Sequence, residues 1–263
     1  MALFALAYGV YFGVRALTEG SAQEAARNAL HLIRFEQGLG IAWEGAVQRA
    51  AMGSDIIVKG ANAVYMYGHW PVIMVAGVLL FLLRRDQYFR LRDVCLLSGL
   101  VGLVIFSLFP VAPPRLTDLP LVDTVTRDDA GYRQVVPPSL VNEYAAMPSF
   151  HAGWNLLVGI AVFSATRNPL LRALAVIGPA TMIVAVVVTA NHFVVDVVAG
   201  VAIVLACLLL RDLVVARRGR PTMDPGVRKR TADWSLRAVP RRPPCRERLG
   251  HARRSARTSG SAH

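Results

Sequence analysis

His192 and Asp196, in "NHFVVDVVAG", stand four residues apart where an apolar run begins. On a helix that spacing puts both side chains on one face, a turn apart. A carboxylate so placed can accept the N–H of one imidazole nitrogen, fix the tautomer, and leave the other nitrogen as a nucleophile. An Asp inside an apolar run is costly without such a partner. Upstream, "AAMPSFHAGW" puts Ser149 and His151 at the start of another greasy segment. Ser149 suits a helix N-cap whose neighbouring N–H groups can face an anion. A second histidine across a phosphate from the first can protonate a leaving oxygen. Arg115 follows two prolines in "PVAPPRL", which stiffen its approach. Its guanidinium can grip phosphoryl oxygens in pairs and hold charge that develops in a transition state. Each feature also has a plain structural reading: a helix-start His satisfied by backbone, an interfacial His with a Ser cap and a Trp154 anchor, a snorkelling Arg. Their conjunction is the parts list for metal-independent phosphoryl transfer through a phosphohistidine.

The elements that must position these residues are apolar. The 263-residue chain is 54% hydrophobic with a mean hydropathy of +0.44, too high for an ordinary soluble domain. A hydrocarbon core of ~30 Å takes ~20 apolar residues in helical form. Six stretches qualify or nearly do: 1–17, 63–83, 94–111, 152–166, 170–190 and 193–210. The expected fold is therefore all-α, an integral membrane bundle of about six transmembrane helices, with residues 1–210 as the membrane domain. Residues 22–50 place apolar positions at helical spacing among Glu, Arg and Gln, which predicts one or two amphipathic helices on the membrane surface. Residues 112–149, rich in Pro and Asp, predict an ordered loop capping the bundle.

Net charge is +12, but residues 211–263 carry 15 Lys+Arg against 4 Asp+Glu, while residues 1–210 carry 14 against 13. The excess belongs to a basic tail, residues 211–263, which has too few aliphatic residues to bury and is expected to be disordered and cytoplasmic. It suits anionic lipid, and no nucleic-acid partner is expected. Basic residues in the connections divide 21 to seven between the two sides. That puts both ends in the cytoplasm, and segments 18–59 and 112–149 on the outer face. Three cysteines, Cys95, Cys207 and Cys245, give neither a disulfide framework nor a metal spacing. A second class of reading is non-enzymatic: a transporter with a His/Asp relay, or a metal-binding scaffold built on His69, His151, His192 and Asp196. A relay needs ionisable groups spread through the bilayer, whereas these gather at helix ends on one side.

The ordered series "PPR", "MPSFHAGW" and "NHFVVDVVAG" resembles the type 2 phosphatidic acid phosphatase superfamily. With "NAVYMYGHWP" it is most similar to the branch that includes inositol phosphorylceramide synthases. The resemblance spans roughly residues 62–200. It implies His192 as nucleophile, Asp196 as its orienter, His151 as general acid, and Arg115 and Ser149 as phosphate ligands. Asn62, Tyr65, His69, Tyr144 and Asn191 are candidate substrate contacts. It also implies a lipid-phosphate or phosphoinositide-like substrate and no cofactor or metal, while the division of basic residues puts the expected active site on the outer face, expected to be that of the cell membrane. Two phosphate clamps of the usual pattern are absent: Leu108 stands where a lysine is usual and Val186 where an arginine is usual. Arg127 or Arg133 are candidates to replace them. Water as acceptor makes a phosphatase and a sugar or lipid hydroxyl makes a transferase; the sequence leaves both open.

Overall fold

The computed structural model describes residues 22–128 and 142–218. Residues 1–17, Arg133 and nearly all of the basic tail lie outside them, so the first expected span and the tail's disorder have no counterpart here. Among the described residues the structure is helical, with one isolated parallel bridge between Val111 and Ala145.

The amphipathic stretch forms two helices, α1 (Ala22–Leu39) and α2 (Glu44–Met52). Helix α1 buries Ala25, Ala29, Leu32, Ile33 and Glu36, a stripe at helical spacing. It ends in Gly40 at φ +70°, with Gly40 N–H donating to the Gln37 carbonyl and Ile41 N–H to the Glu36 carbonyl. That is a Schellman turn with glycine in its left-handed position.

The expected span 63–83 is not one helix. It is α3 (Asp55–Tyr67) followed by α4 (Trp70–Leu83), bent by 51° at Gly68–His69. Pro71, in the first turn of α4, cannot donate a backbone N–H back across the break. Helix α5 (Arg85–Leu108) takes in, as its first turns, the arginine-rich residues 85–93 that separate the expected spans 63–83 and 94–111. Those polar turns stay helical because they pair with the last helix: Arg90 Nε donates to Asp212 Oδ2 at 3.1 Å, and Arg211 Nε lies 3.6 Å from Asp93 Oδ2. A 3₁₀ turn at Pro114–Leu116 and the short α6 (Thr124–Asp128) follow.

Three more helices follow among the described residues: α7 (Phe150–Ala165), α8 (Pro169–Val188) and α9 (Val194–Arg218). Asn168 caps α8, its side chain accepting from the N–H groups of Leu170 and Leu171, and Pro169 occupies the first turn, where a missing N–H costs nothing. Inside α8, Pro179 leaves the Ala175 carbonyl without its usual donor. Gly159 of α7 packs there so closely that a Cβ would sit 2.3 Å from that oxygen. Glycine thus sets the α7–α8 approach, as small residues do between membrane helices.

Helices α5, α8 and α9 are long and apolar enough to cross a membrane, and the bent pair α3–α4 makes a fourth if counted as one span. Helix α7, at 16 residues, reaches about 24 Å and is short for a full crossing. Large apolar side chains such as Leu82, Leu100, Leu174, Ile177, Leu209 and Leu213 point outward, as expected of surfaces covered by lipid tails. Among the described residues the interior separates into an α4–α5–α7–α9 cluster around Val94, Leu157 and Val204, a second around Ala152, Met182, Val186 and Val197, and a third in which the α1 stripe meets Val111, Ala146 and Phe193.

Candidate active site

Helix α8 ends in a second Schellman turn. Ala190 N–H donates to the Val187 carbonyl, and Asn191 N–H to the Val186 carbonyl. Here the left-handed position, φ 54°, is filled by Ala190 instead of glycine, at a local cost of roughly 1 kcal/mol. The turn delivers His192 to the head of α9, its own N–H donating to the Val186 carbonyl at 3.2 Å. It also anchors Arg115: the Arg115 N–H donates to the Ala190 carbonyl, and its Nε donates to Asn191 Oδ1 at 2.9 Å. Asn191 in turn donates to the Thr189 carbonyl and hydroxyl. Arg115 NH1 lies 3.9 Å from Asp123 Oδ2, so the guanidinium is held on two sides.

The His192 ring is oriented differently from the sequence expectation. Its Nδ1–H donates to the Ala146 carbonyl at 2.8 Å, while Asp196 Oδ2 stands 3.7 Å from the same nitrogen. The Asp196 oxygen is spent on the Phe193 N–H, 2.8 Å away, a capping contact that closes the first turn of α9. Asp196 therefore stands beside the imidazole without taking its closest hydrogen bond, and backbone supplies the tautomer. With Nδ1 protonated, the lone pair resides on Nε2.

Ala146 is placed by the parallel bridge: Val111 N–H donates to the Tyr144 carbonyl at 2.8 Å, and Ala146 N–H to the Val111 carbonyl at 3.2 Å. The next residues turn into α7. Buried Ser149 caps it, Oγ accepting from Ala152 N–H at 3.5 Å, while its own N–H donates to the Asp196 carbonyl at 2.9 Å. Gly200 admits this contact, because a Cβ there would lie 2.1 Å from the Ser149 oxygen. Ser149 thus ties α7 to α9 through its backbone.

His151, one residue into α7, faces three rings. Its centroid is 5.7 Å from His192, 4.3 Å from His69 and 4.6 Å from Tyr65, the last pair stacked. The α3–α4 bend makes this possible by turning His69 inward, where it is buried. Asn155 fixes His69, its Nδ2 donating to His69 Nδ1 at 3.0 Å and to the His151 carbonyl at 2.8 Å. Trp154 is an internal tie, its indole N–H donating to Ser98 Oγ at 3.1 Å.

Tyr65, His69, His151, His192, Asp196, Asn191 and Arg115 thus gather at one end of the bundle. Two candidate contacts are engaged elsewhere. Asn62 exchanges hydrogen bonds with Thr124, giving to its carbonyl at 3.0 Å and accepting from its hydroxyl at 2.7 Å. Tyr144 packs with Val111, Ala112 and the α1 face. Leu108 is 76% exposed and Val186 fully buried in the core, so neither position offers a clamp in disguise. Among the described residues no group of three or more His, Cys, Asp or Glu is arranged to hold a metal ion.

The sequence reading missed Glu36, Glu44, Gln48 and Asn155. Glu36 Oε1 accepts the Val195 N–H at 2.7 Å and Glu44 Oε1 the Val194 N–H at 2.8 Å. Gln48 donates to the Val122 and Val188 carbonyls and accepts from the Val122 N–H. Signals existed for two of them: Glu36 falls in phase with Ala25, Ala29 and Leu32, and Asn155 lies one turn after His151.

A helical bundle with membrane-length spans and a paired-histidine, arginine-flanked site at one end is the class these observations define. The PAP2 superfamily model matches residues 30–210, more than half of the chain, and the chain belongs to that superfamily. No curated protein and no solved structure matches it. Membership points to phosphatase- or phosphotransferase-type activity on a lipid phosphate.

Proposed function

We propose that the protein is an integral membrane phosphatase or phosphotransferase that moves a phosphoryl group from a lipid phosphate through a phosphohistidine on His192. The observation that supports this most directly is the commitment of His192 Nδ1 to the Ala146 carbonyl, with the His151 ring 5.7 Å away. Nε2 attacks phosphorus, the P–O bond to the lipid breaks, and His151 gives its proton to the departing oxygen. Water or another hydroxyl then attacks the phosphoramidate, and His151 takes the acceptor's proton. An arriving phosphate favours the imidazolium form of His151. Arg115, steadied by Asn191, balances charge on the equatorial oxygens, and the turn capped by Ser149 offers the first N–H groups of α7 to the anion. No metal enters the scheme.

Six spans with both ends cytoplasmic, and a site on the outer face of the cell membrane, fit the 21 to seven division of basic residues. The packing of Tyr65 and His69 on His151 favours them as substrate contacts and the inositolphosphotransferase-like branch as the nearer model.

The test is purified protein with radiolabelled lipid phosphates in EDTA, with and without inositol. Free phosphate or a new lipid should form, and orthovanadate should inhibit as a mimic of the five-coordinate transition state. His192→Ala should lose turnover and acid-labile labelling together, whereas His151→Ala should still label from nitrophenyl phosphate, whose leaving group needs no proton. Activity that vanishes in EDTA and returns with zinc, or full activity in His192→Ala, refutes the mechanism.

A further inference from the structure

Helix α9 starts with its orphan N–H groups already taken. Phe193 donates to Asp196, Val194 to Glu44 and Val195 to Glu36, at 2.8, 2.8 and 2.7 Å. The last two acids come from 150 or more residues away in sequence, and all three are buried. A helix N-terminus ordinarily attracts a free anion. Here the protein's own carboxylates occupy it, directly beneath the residue proposed to attack phosphorus.

We infer that Glu36 and Glu44 are positioning residues for His192, fixing the first turn of α9, and that the site works only while the Glu36 carboxyl keeps its proton. This rests on the proposed role of His192 and adds to it a requirement located on α1 and α2.

The geometry carries the argument. Glu36 and Glu44 accept from the consecutive N–H groups of Val195 and Val194, so two buried carboxyl groups from different helices converge on one turn, where two bare carboxylates would repel each other. The pair bridges α1 and α2 to the turn that carries His192. The titratable groups facing Glu36 are Glu44 from α2 and Asp196 from α9, and Asp196 in turn lies 3.7 Å from His192 Nδ1. Burial, with the like charges of Glu44 and Asp196, pushes the Glu36 carboxyl up to about 8. Losing that proton adds a negative charge to a helix start where three buried carboxyl groups already converge. The Glu36–Glu44 contact then turns repulsive, the α9 turn loosens, and added negative charge opposes an incoming phosphate.

The experiment is a set of pH–rate profiles on full-length, detergent-solubilised protein with nitrophenyl phosphate, with acid-labile labelling of His192 read in parallel. In the unsubstituted protein kcat should fall about tenfold per pH unit above about 8. Glu36→Gln can accept from Val195 and donate to Glu44 with no proton to lose. It should keep kcat within threefold at pH 7 and carry activity past the alkaline limb. Glu36→Ala should lower kcat at least tenfold with KM little changed, since geometry and not binding is lost. An alkaline limb that stays in place in Glu36→Gln overturns the inference, and so does an unaltered kcat in Glu36→Ala. If Glu36→Ala does not fold, the Gln profile decides alone. Acid-labile label at His192 in either outcome leaves the mechanism standing. Failure of that mechanism would instead appear as full activity in His192→Ala.

Discussion

Gly200→Ala tests how closely α7 and α9 must approach for the two histidines to share a substrate. A Cβ at Gly200 would lie 2.1 Å from the Ser149 oxygen, 2.7 Å from its carbonyl carbon and 3.0 Å from its nitrogen. All three are backbone atoms, so no side chain can swing aside. Ordinary contact needs about 3.5 Å, so the segment must retreat by more than ~1 Å. That takes the Ser149 N–H···O=C Asp196 bond, 2.9 Å long, out of range. Overpacking of ~1–3 kcal/mol and a buried bond worth about 1–2 kcal/mol outweigh the ~1 kcal/mol by which Ala is the better helix former. The net loss is about 1–4 kcal/mol, or roughly 2–15 °C in Tm for a chain this long. His151 moves with Ser149 while His192 stays with α9, and a misplacement near 1 Å lowers turnover ~10²-fold. Gly77→Ala is the control: a Cβ there meets nothing within 4 Å, so Tm should hold or rise. Thermal unfolding in detergent and nitrophenyl phosphate turnover read both variants. Equal Tm and equal turnover in the two would refute the argument.

Asp196→Asn should keep the Phe193 cap while replacing by an amide the carboxyl 3.7 Å from His192. Because the Ala146 carbonyl also holds the tautomer, kcat should drop roughly 10–100-fold, short of the ~10⁴-fold seen where a carboxylate is the sole anchor, with Tm within a few degrees. The Glu36 carboxyl sits at about 8 when folded against an ordinary 4.5. The folded state therefore holds its proton more tightly than the unfolded chain, and the resulting stability is full below about 4.5 and lost as pH rises to about 8. Over that window the unsubstituted protein should lose stability relative to Glu36→Gln, by a few kcal/mol at pH 8; parallel Tm curves of the two would contradict this.

The helical class and most of the helix positions were legible in the sequence. A run such as 170–190 has no stable state but a buried or lipid-covered helix, so α8 fell within two residues of its expected bounds at each end. The candidate chemistry was legible too, because spacing of i and i+4 and a Ser–x–His start are local facts. The tertiary structure decided how those residues are held. Hydropathy saw one span at 63–83, yet the chain bends at Gly68–His69 and turns an imidazole toward His151. The i, i+4 rule assigned His192 to Asp196, but the hydrogen bond of its Nδ1–H goes to a carbonyl 46 residues away. Glu36 and Glu44 read as polar positions of an amphipathic surface, and they are buried against the head of α9. The reason is common to all three. Periodicity reports which face of an element is apolar, whereas a buried polar group is satisfied by whatever donor or acceptor the packing brings to it, and no local pattern names that partner.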